Sequence, residues 1–139
     1  MFRKILFAND ASPAADRALF YLEHLAREEE AEVIVLHAYE RPTQYTALDG
    51  YEALSAALES VAQEVVNDAV EHLSGMEILA RGVVREGPPA RAILDLAQEE
   101  KASLIVLGTR GPSNAAELLL GSVSIEVLRF AQCPVLVVP

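Results

Sequence analysis

The chain has 139 residues, 52% of them hydrophobic, and its 11 Lys+Arg against 21 Asp+Glu leave a formal net charge of −10. One domain with a real core fits that length and apolar share; an acidic disordered tail does not. The acidic balance excludes a general nucleic-acid binder and a protein that docks on anionic lipid, because both need Lys and Arg.

Read from the start, MFRKILFAND has an apolar run of only Ile5–Ala8. A signal-peptide core needs about 7–15 apolar residues, and no stretch reaches the ~18 of a membrane span. A cytoplasmic chain, intact from its first residue, is the expectation. The run Ile5–Ala8 predicts the first strand. Ser12-Pro13 predicts an N-cap and first helical residue, opening a helix over 13–29 with Ala15, Leu19, Leu22 and Ala26 on one stripe. Val33–Ala38 predicts the second strand, followed by a polar loop over 39–50. A second helix is expected over 51–74, with Leu54, Leu58, Val61, Val65, Ala69 and Leu73 facing inward and Gly75 as its stop.

Ile78–Val84 predicts the third strand. Arg81 and Gly82 interrupt it, as suits an edge strand with one wetter face. Gly87-Pro88-Pro89 leads into a helix over 89–100 carrying Ile93, Leu96 and Ala97. Leu104–Leu107 predicts the fourth strand. A helix over 122–131 carries Val123, Val127, Leu128 and Ala131, and Cys133-Pro134 opens a last strand at Val135–Val138. Most of the strands are near-continuous in Ile, Val and Leu, which suits burial on both faces of a parallel sheet. The order β-α-β-α-β-α-β-α-β predicts an α/β fold, one doubly wound domain over 1–139 with helices on both faces of a parallel sheet. The connections 39–50 and 109–121 exceed the usual strand-to-helix length of about 2–6 residues. They follow strand ends, where open α/β sheets bind ligands.

The segment 108–124 reads GTRGPSNAAELLLGSVS. Glycines permit positive φ and close approach to a ligand, and free N–H groups at a helix start bind anions. A strand, a glycine-bearing loop and a helix opening on Gly-Ser therefore read as a phosphate cradle. The bland alternative is a strand end and a helix cap. With Gly at about 7% of residues, this spacing arises by chance in roughly one chain in a hundred or fewer. Neither a Walker A loop nor G-x-G-x-x-G is present.

Gly108, Gly111, Gly121 and Ser122 match G-x2-G-x9-G-[ST], and on that pattern the sequence resembles the ATP-binding branch of the universal stress protein family. KILFANDAS, VIVLHAYE, EGPPARAIL, ASLIVLGTRG and GSVSIEVLRFAQCPVLVVP extend the resemblance along the chain. It implies a five-stranded sheet of order 3-2-1-4-5, Rossmann-like and of the adenine nucleotide alpha hydrolase type. It also implies a homodimer through the last strand and ATP at the strand carboxyl ends; because the chain is acidic and its loop has one cation, Mg²⁺ or Mn²⁺ is expected with the phosphates. Residue by residue, Ala8 and Asn9 would form part of the base site, with Asp10 near the ribose and adenine. Ala38 would line the adenine pocket, and Leu107 and Gly108 would border the ribose. Gly111, Gly121, Ser122, Val123 and Ser124 would hold phosphates, joined by Arg110, the one cation of the loop. Family loops between the second and third glycines often carry basic residues; here PSNAAELLL has Glu117 and no cation.

Other signals have bland readings. Asp10 could only shape a turn, Ser122 only cap the helix, and Ser124 sit on the surface. His24 and His72 read as solvent-facing helix residues, and His37 as structural at the end of strand two. Cys133 reads as a small core residue; a single cysteine makes neither an intramolecular disulfide nor a cysteine-based zinc site. The runs Glu28–Glu30 and Glu99–Glu100 read as solvated helix ends, unfavourable to the dipole. Tyr39, Tyr45 and Tyr51 could cover a base or pack the loop. No metal-ligand spacing and no G-x-S-x-G elbow occur. No general base is visible, so no catalytic residue is assigned and any hydrolysis should be slow. The resulting expectation is a nucleotide-dependent sensor or regulator of the stress response. The alternatives are a stress protein that binds no ATP and acts through its dimer surface, or an ATP-transforming enzyme.

Overall fold

The five apolar runs form one all-parallel sheet in the computed structural model, which describes residues 1–109 and 120–139. The strands are β1 (Lys4–Ala8), β2 (Glu32–Tyr39), β3 (Ala80–Glu86), β4 (Leu104–Gly108) and β5 (Val135–Val138). Their order is β3-β2-β1-β4-β5, as the resemblance implied. Between them run α1 (Pro13–Glu29), α2 (Tyr51–Gly75), α3 (Pro89–Glu100) and α4 (Ser122–Phe130), with a 3-10 turn at Thr43–Tyr45. No helix among the described residues is long and apolar enough to cross a membrane.

Successive side chains of a strand point to opposite faces, and β1 shows the consequence. Ile5 and Phe7 join Leu22 of α1 and Val66 and Leu73 of α2 on one face. Leu6 joins Ile93 and Leu96 of α3 and Val127 of α4 on the other. Ile5, Leu6 and Phe7 are all completely buried, and each such side chain is worth about 1.5–3 kcal/mol over leaving it exposed. The near-continuous apolar run thus reports a central strand covered on both sides.

Three local readings need correction. The inward stripe of α2 is Ser55, Ala62, Val66, Ala69 and Leu73, not Leu54, Leu58, Val61 and Val65. Leu54 and Val61 are exposed. Small residues face inward because α2 lies close on β3: a Cβ on Gly82 would collide with the Val66 side chain. Leu128 of α4 is likewise exposed. The third strand begins at Ala80 rather than Ile78. Ile78 is buried under the end of α2, its amide donating to the Leu73 carbonyl at 3.0 Å, and Glu77 takes φ 62°. Gly75 therefore lies inside the last turn, and Glu77 takes the left-handed conformation that usually selects glycine.

The glutamates at the end of α3 are paired. Arg85 grips Glu99 with two bonds of 2.6 and 3.1 Å, and Arg81 reaches Glu100 at 2.6 Å and Glu32 at 3.0 Å. Lys4 lies 3.5 Å from Glu100. These guanidinium bonds hold the Glu99 and Glu100 carboxyls below their ordinary range. Arg41 does the same to Glu86. In α1, Glu29 accepts from the Phe2 amide at 3.3 Å. The third strand is an edge with mostly exposed or half-buried residues, as its charges predict.

Candidate functional site

The chain moves outward from β1 through β2 to β3, then returns to place β4 on the other side of β1. The sheet therefore has its switch point between β1 and β4, and a ligand crevice is expected above their carboxyl ends. A cleft of about 140 Å³ opens there.

At the end of β1, Ala8, Asn9 and Asp10 all line the cleft. The Asn9 amide donates to the Leu36 carbonyl at 2.8 Å. Its side-chain Oδ1 accepts from the Ala11 amide at 3.0 Å, and Asp10 Oδ1 accepts from the Ser12 amide at 2.9 Å. These side chains mimic a backbone turn and carry Ala11 at φ 64°. Ser12 then accepts from the Ala15 amide at 3.1 Å and caps α1. Asp10 is thus a turn-former and a cleft residue together.

The end of β2 supplies Leu36, His37 and Ala38. Of these, sequence reasoning named Ala38 for the site. His37 Nδ1 lies 2.6 Å from the Asn9 carbonyl oxygen. The start of α3 adds Pro89 and Ile93. Leu36 and Ile93 were legible as core residues, and nothing in their spacing marks them as cleft walls. His37, adjacent to Ala38 at a strand end, and the Gly-Pro-Pro entry to α3 were the available signals.

Leu107 and Gly108 line the cleft from β4. A Cβ on Gly108 would stand 2.5 Å from the Ala14 carbonyl carbon and 2.7 Å from the Ala15 nitrogen. Its φ is not positive, so positive φ is not why glycine stands here; the first turn of α1 lies directly against its backbone.

Gly121, Ser122, Val123 and Ser124 complete the cleft at the start of α4. Gly121 is the N-cap, with φ −64° and ψ 160°, and no side chain caps the helix. Ser122 is therefore the first helical residue rather than the cap. Ser124, in the first turn, is only 2% exposed, which overturns its reading as a surface serine. Arg110 and Gly111 lie outside the described residues, as does most of the 109–121 connection.

The remaining side chains fall elsewhere. Tyr39, Tyr45 and Tyr51 do not line the cleft. His72 is half exposed and its Nε2 meets the Glu23 carboxylate, tying α2 to α1. Cys133 packs against the second apolar cluster, and burial pushes its thiol up. Among the described residues no group of three or more His, Cys, Asp or Glu could hold a metal.

The arrangement has three chemical parts. Leu36, Ala38, Ile93, Leu107 and Val123 provide apolar wall, suited to a flat heteroaromatic ring. Asp10 offers a carboxylate, an acceptor for hydroxyl groups. The side-chain-uncapped start of α4 presents amides and a positive dipole end to an anion.

A family model described as the universal stress protein family matches residues 1–139. The chain is 41% identical over 139 residues to a universal stress protein of Thermus aquaticus, covering 99% of both. Its fold is similar to that of the universal stress protein UspA from Lactobacillus plantarum, with a TM-score of 0.86 and 25% identity over 99% of this chain and 98% of that one. It is also similar, with a TM-score of 0.71 and 25% identity, to a universal stress protein solved in complex with cAMP, over 99% of this chain and 96% of that one.

Proposed function

This chain belongs to the universal stress protein family, and from that premise we propose that its cleft binds ATP and that the protein is a nucleotide-dependent regulator of the stress response. One observation carries the reading: the ends of β1, β2 and β4 and the start of α4 meet in a single cleft. That cleft combines an apolar wall, a carboxylate and a helix start with no side-chain cap. The family member that binds cAMP supports an adenine nucleotide as the ligand class.

In this reading the base lies against Leu36, Ala38 and Ile93, Asp10 accepts from a ribose hydroxyl, and the phosphates meet the amides of Ser122, Val123 and Ser124. No cation lines the cleft among the described residues. A divalent ion, Mg²⁺ or Mn²⁺, would travel on the phosphates and supply positive charge there. We assign no catalytic residue and expect at most slow hydrolysis. We further propose that the protein is cytoplasmic and works as a homodimer joined through β5.

The test is calorimetric titration with ATP, with and without Mg²⁺, of the parent and of Gly121→Asp. Aspartate is a favoured N-cap, and Gly121 already has extended φ and ψ. The variant keeps α4 but turns its amides toward its own carboxylate and sets a negative charge against the phosphates. ATP affinity should fall at least about tenfold. No binding by the parent at millimolar ATP, or equal affinity in the variant, would sink the proposal. Rapid release of AMP and pyrophosphate would instead favour an ATP-transforming enzyme.

A further inference from the structure

His37 is the cleft residue whose side chain spans two strands. Its Nδ1 lies 2.6 Å from the backbone oxygen of Asn9. A carbonyl oxygen can only accept, so the ring nitrogen facing it carries the proton. The imidazole is thereby fixed as a donor at Nδ1, which leaves Nε2 as the acceptor of the neutral ring.

The bond acts on a peptide that nothing else in β2 orients at its carbonyl end. The Asn9 amide is tied to Leu36 at 2.8 Å, which holds the start of the residue. His37 ties its end. The Asn9–Asp10 peptide is trans, as are all peptides of the described chain, so it is planar and its N–H points away from its C=O. Holding the carbonyl toward His37 therefore sets the plane of this peptide and the direction of the Asp10 amide, while the Asp10 carboxylate is held by its own bond from the Ser12 amide. Beyond it, the Asp10 and Ser12 bonds pass that orientation into the cap of α1.

We propose that His37 is a positioning residue of the nucleotide site, which orients the Asn9–Asp10 peptide at the cleft edge through its Nδ1–H and so supports the turn that holds the Asp10 carboxylate. This rests on the reading of the cleft as an adenine-nucleotide site. It gives the β2 end a second task besides lining the cleft with Ala38, because one strand aligns the residue that the next strand presents.

The experiment compares ATP·Mg²⁺ affinity in the parent, His37→Ala and His37→Asn, with ¹⁵N NMR of the histidine ring in the nucleotide-free parent. Asparagine can place its amide N–H close to where Nδ1–H stands. His37→Ala should lose about 3- to 10-fold in affinity, the worth of one part-buried hydrogen bond, and His37→Asn should recover to within about twofold of the parent. The His37 ring should show a protonated Nδ1, and, wherever the ring is neutral, the Nδ1–H tautomer. If His37→Ala fails to fold, His37→Gln replaces it; its longer side chain misplaces the donor and should bind less well than His37→Asn. Equal affinities in all variants, or a ring protonated at Nε2 instead, would overturn the proposal. A parent that binds no ATP while retaining the Nδ1–H signal would overturn the nucleotide reading and the positioning role with it. Binding by the parent with no difference among the variants would overturn the positioning role alone.

Discussion

At the scale of single residues, two glycines are demanded by packing. Gly82 faces the Val66 side chain, and Gly108 faces the backbone of Ala14 and Ala15. Backbone yields less than a methyl group, and the affected turn opens α1 directly behind Asp10. Gly108→Ala should therefore destabilise the fold by about 1–3 kcal/mol through overpacking, read as a lower urea midpoint with unchanged slope. Stability equal to the parent would mean that α1 can move away from β4 at no cost. The glycine pattern thus marks the cleft, although at Gly108 the physical reason is helix–strand contact. Both accounts pick the same residue because a ligand crevice forms where backbone segments approach closely.

At the scale of elements, the end of α3 is held by opposite charge. Its glutamates oppose the helix dipole, yet Arg81, Arg85 and Lys4 on β3 and β1 offset them. The carboxyls of Glu86, Glu99 and Glu100 are held below the ordinary value of 4.5 by their arginine partners. A carboxyl with a lowered folded pKa contributes stability above its unfolded pKa and loses it as pH falls through the folded one. Parent stability should decline as pH drops from about 5 to about 3. Glu100→Gln should show a shallower decline over the same window. Denaturation melts across that range check it, and the difference should shrink at high salt because these pairs are exposed. Parallel curves for the two proteins would contradict the pairing.

For the whole molecule, the sheet ends at β5, which pairs with β4 on one side. The Ile105 amide donates to Pro134 and the Thr109 amide to Val138. Even-numbered carbonyls of this stretch therefore face β4, and the N–H of Val137 points to the open edge. Edge pairing of two copies of β5 would use that N–H. Val137→Pro removes it without touching the β4 ladder. Analytical ultracentrifugation should find the parent dimeric and the variant monomeric; a parent that is monomeric at all concentrations would end the homodimer proposal. The charge of −10 acts at the same scale. It gives ATP no long-range attraction, so binding should weaken markedly without Mg²⁺.

Much of this was legible in the sequence for a simple reason: a doubly wound sheet writes itself as apolar runs separated by amphipathic helices. β5 begins and ends where its apolar run does, and α1 and α3 begin where Ser12-Pro13 and Gly87-Pro88-Pro89 place them. Strand ends and Gly-Ser marked Gly108 and 121–124, and the family resemblance added Ala8, Asn9, Asp10, Ala38 and Leu107; all of these line the cleft. Packing depth left no such mark. The inward face of α2 is the small one because Gly82 lets the helix come close, a relation between residues 16 apart that periodicity within α2 cannot contain. The pairing of Glu99 and Glu100 was hidden for the same reason, as their partners stand on other elements.

The sequence by itself determined the alternation of strands and helices, the burial of the central strands and a glycine-bearing cradle between a strand end and a helix start, because local patterning and turn chemistry encode these; the other crevice residues came from the family resemblance. Only the tertiary structure decided which face of α2 turns inward, what Gly108 avoids, and that His37 reaches from β2 to the Asn9 carbonyl. Each of those is a distance between segments far apart in the chain, fixed when the sheet assembles and the helices settle onto it.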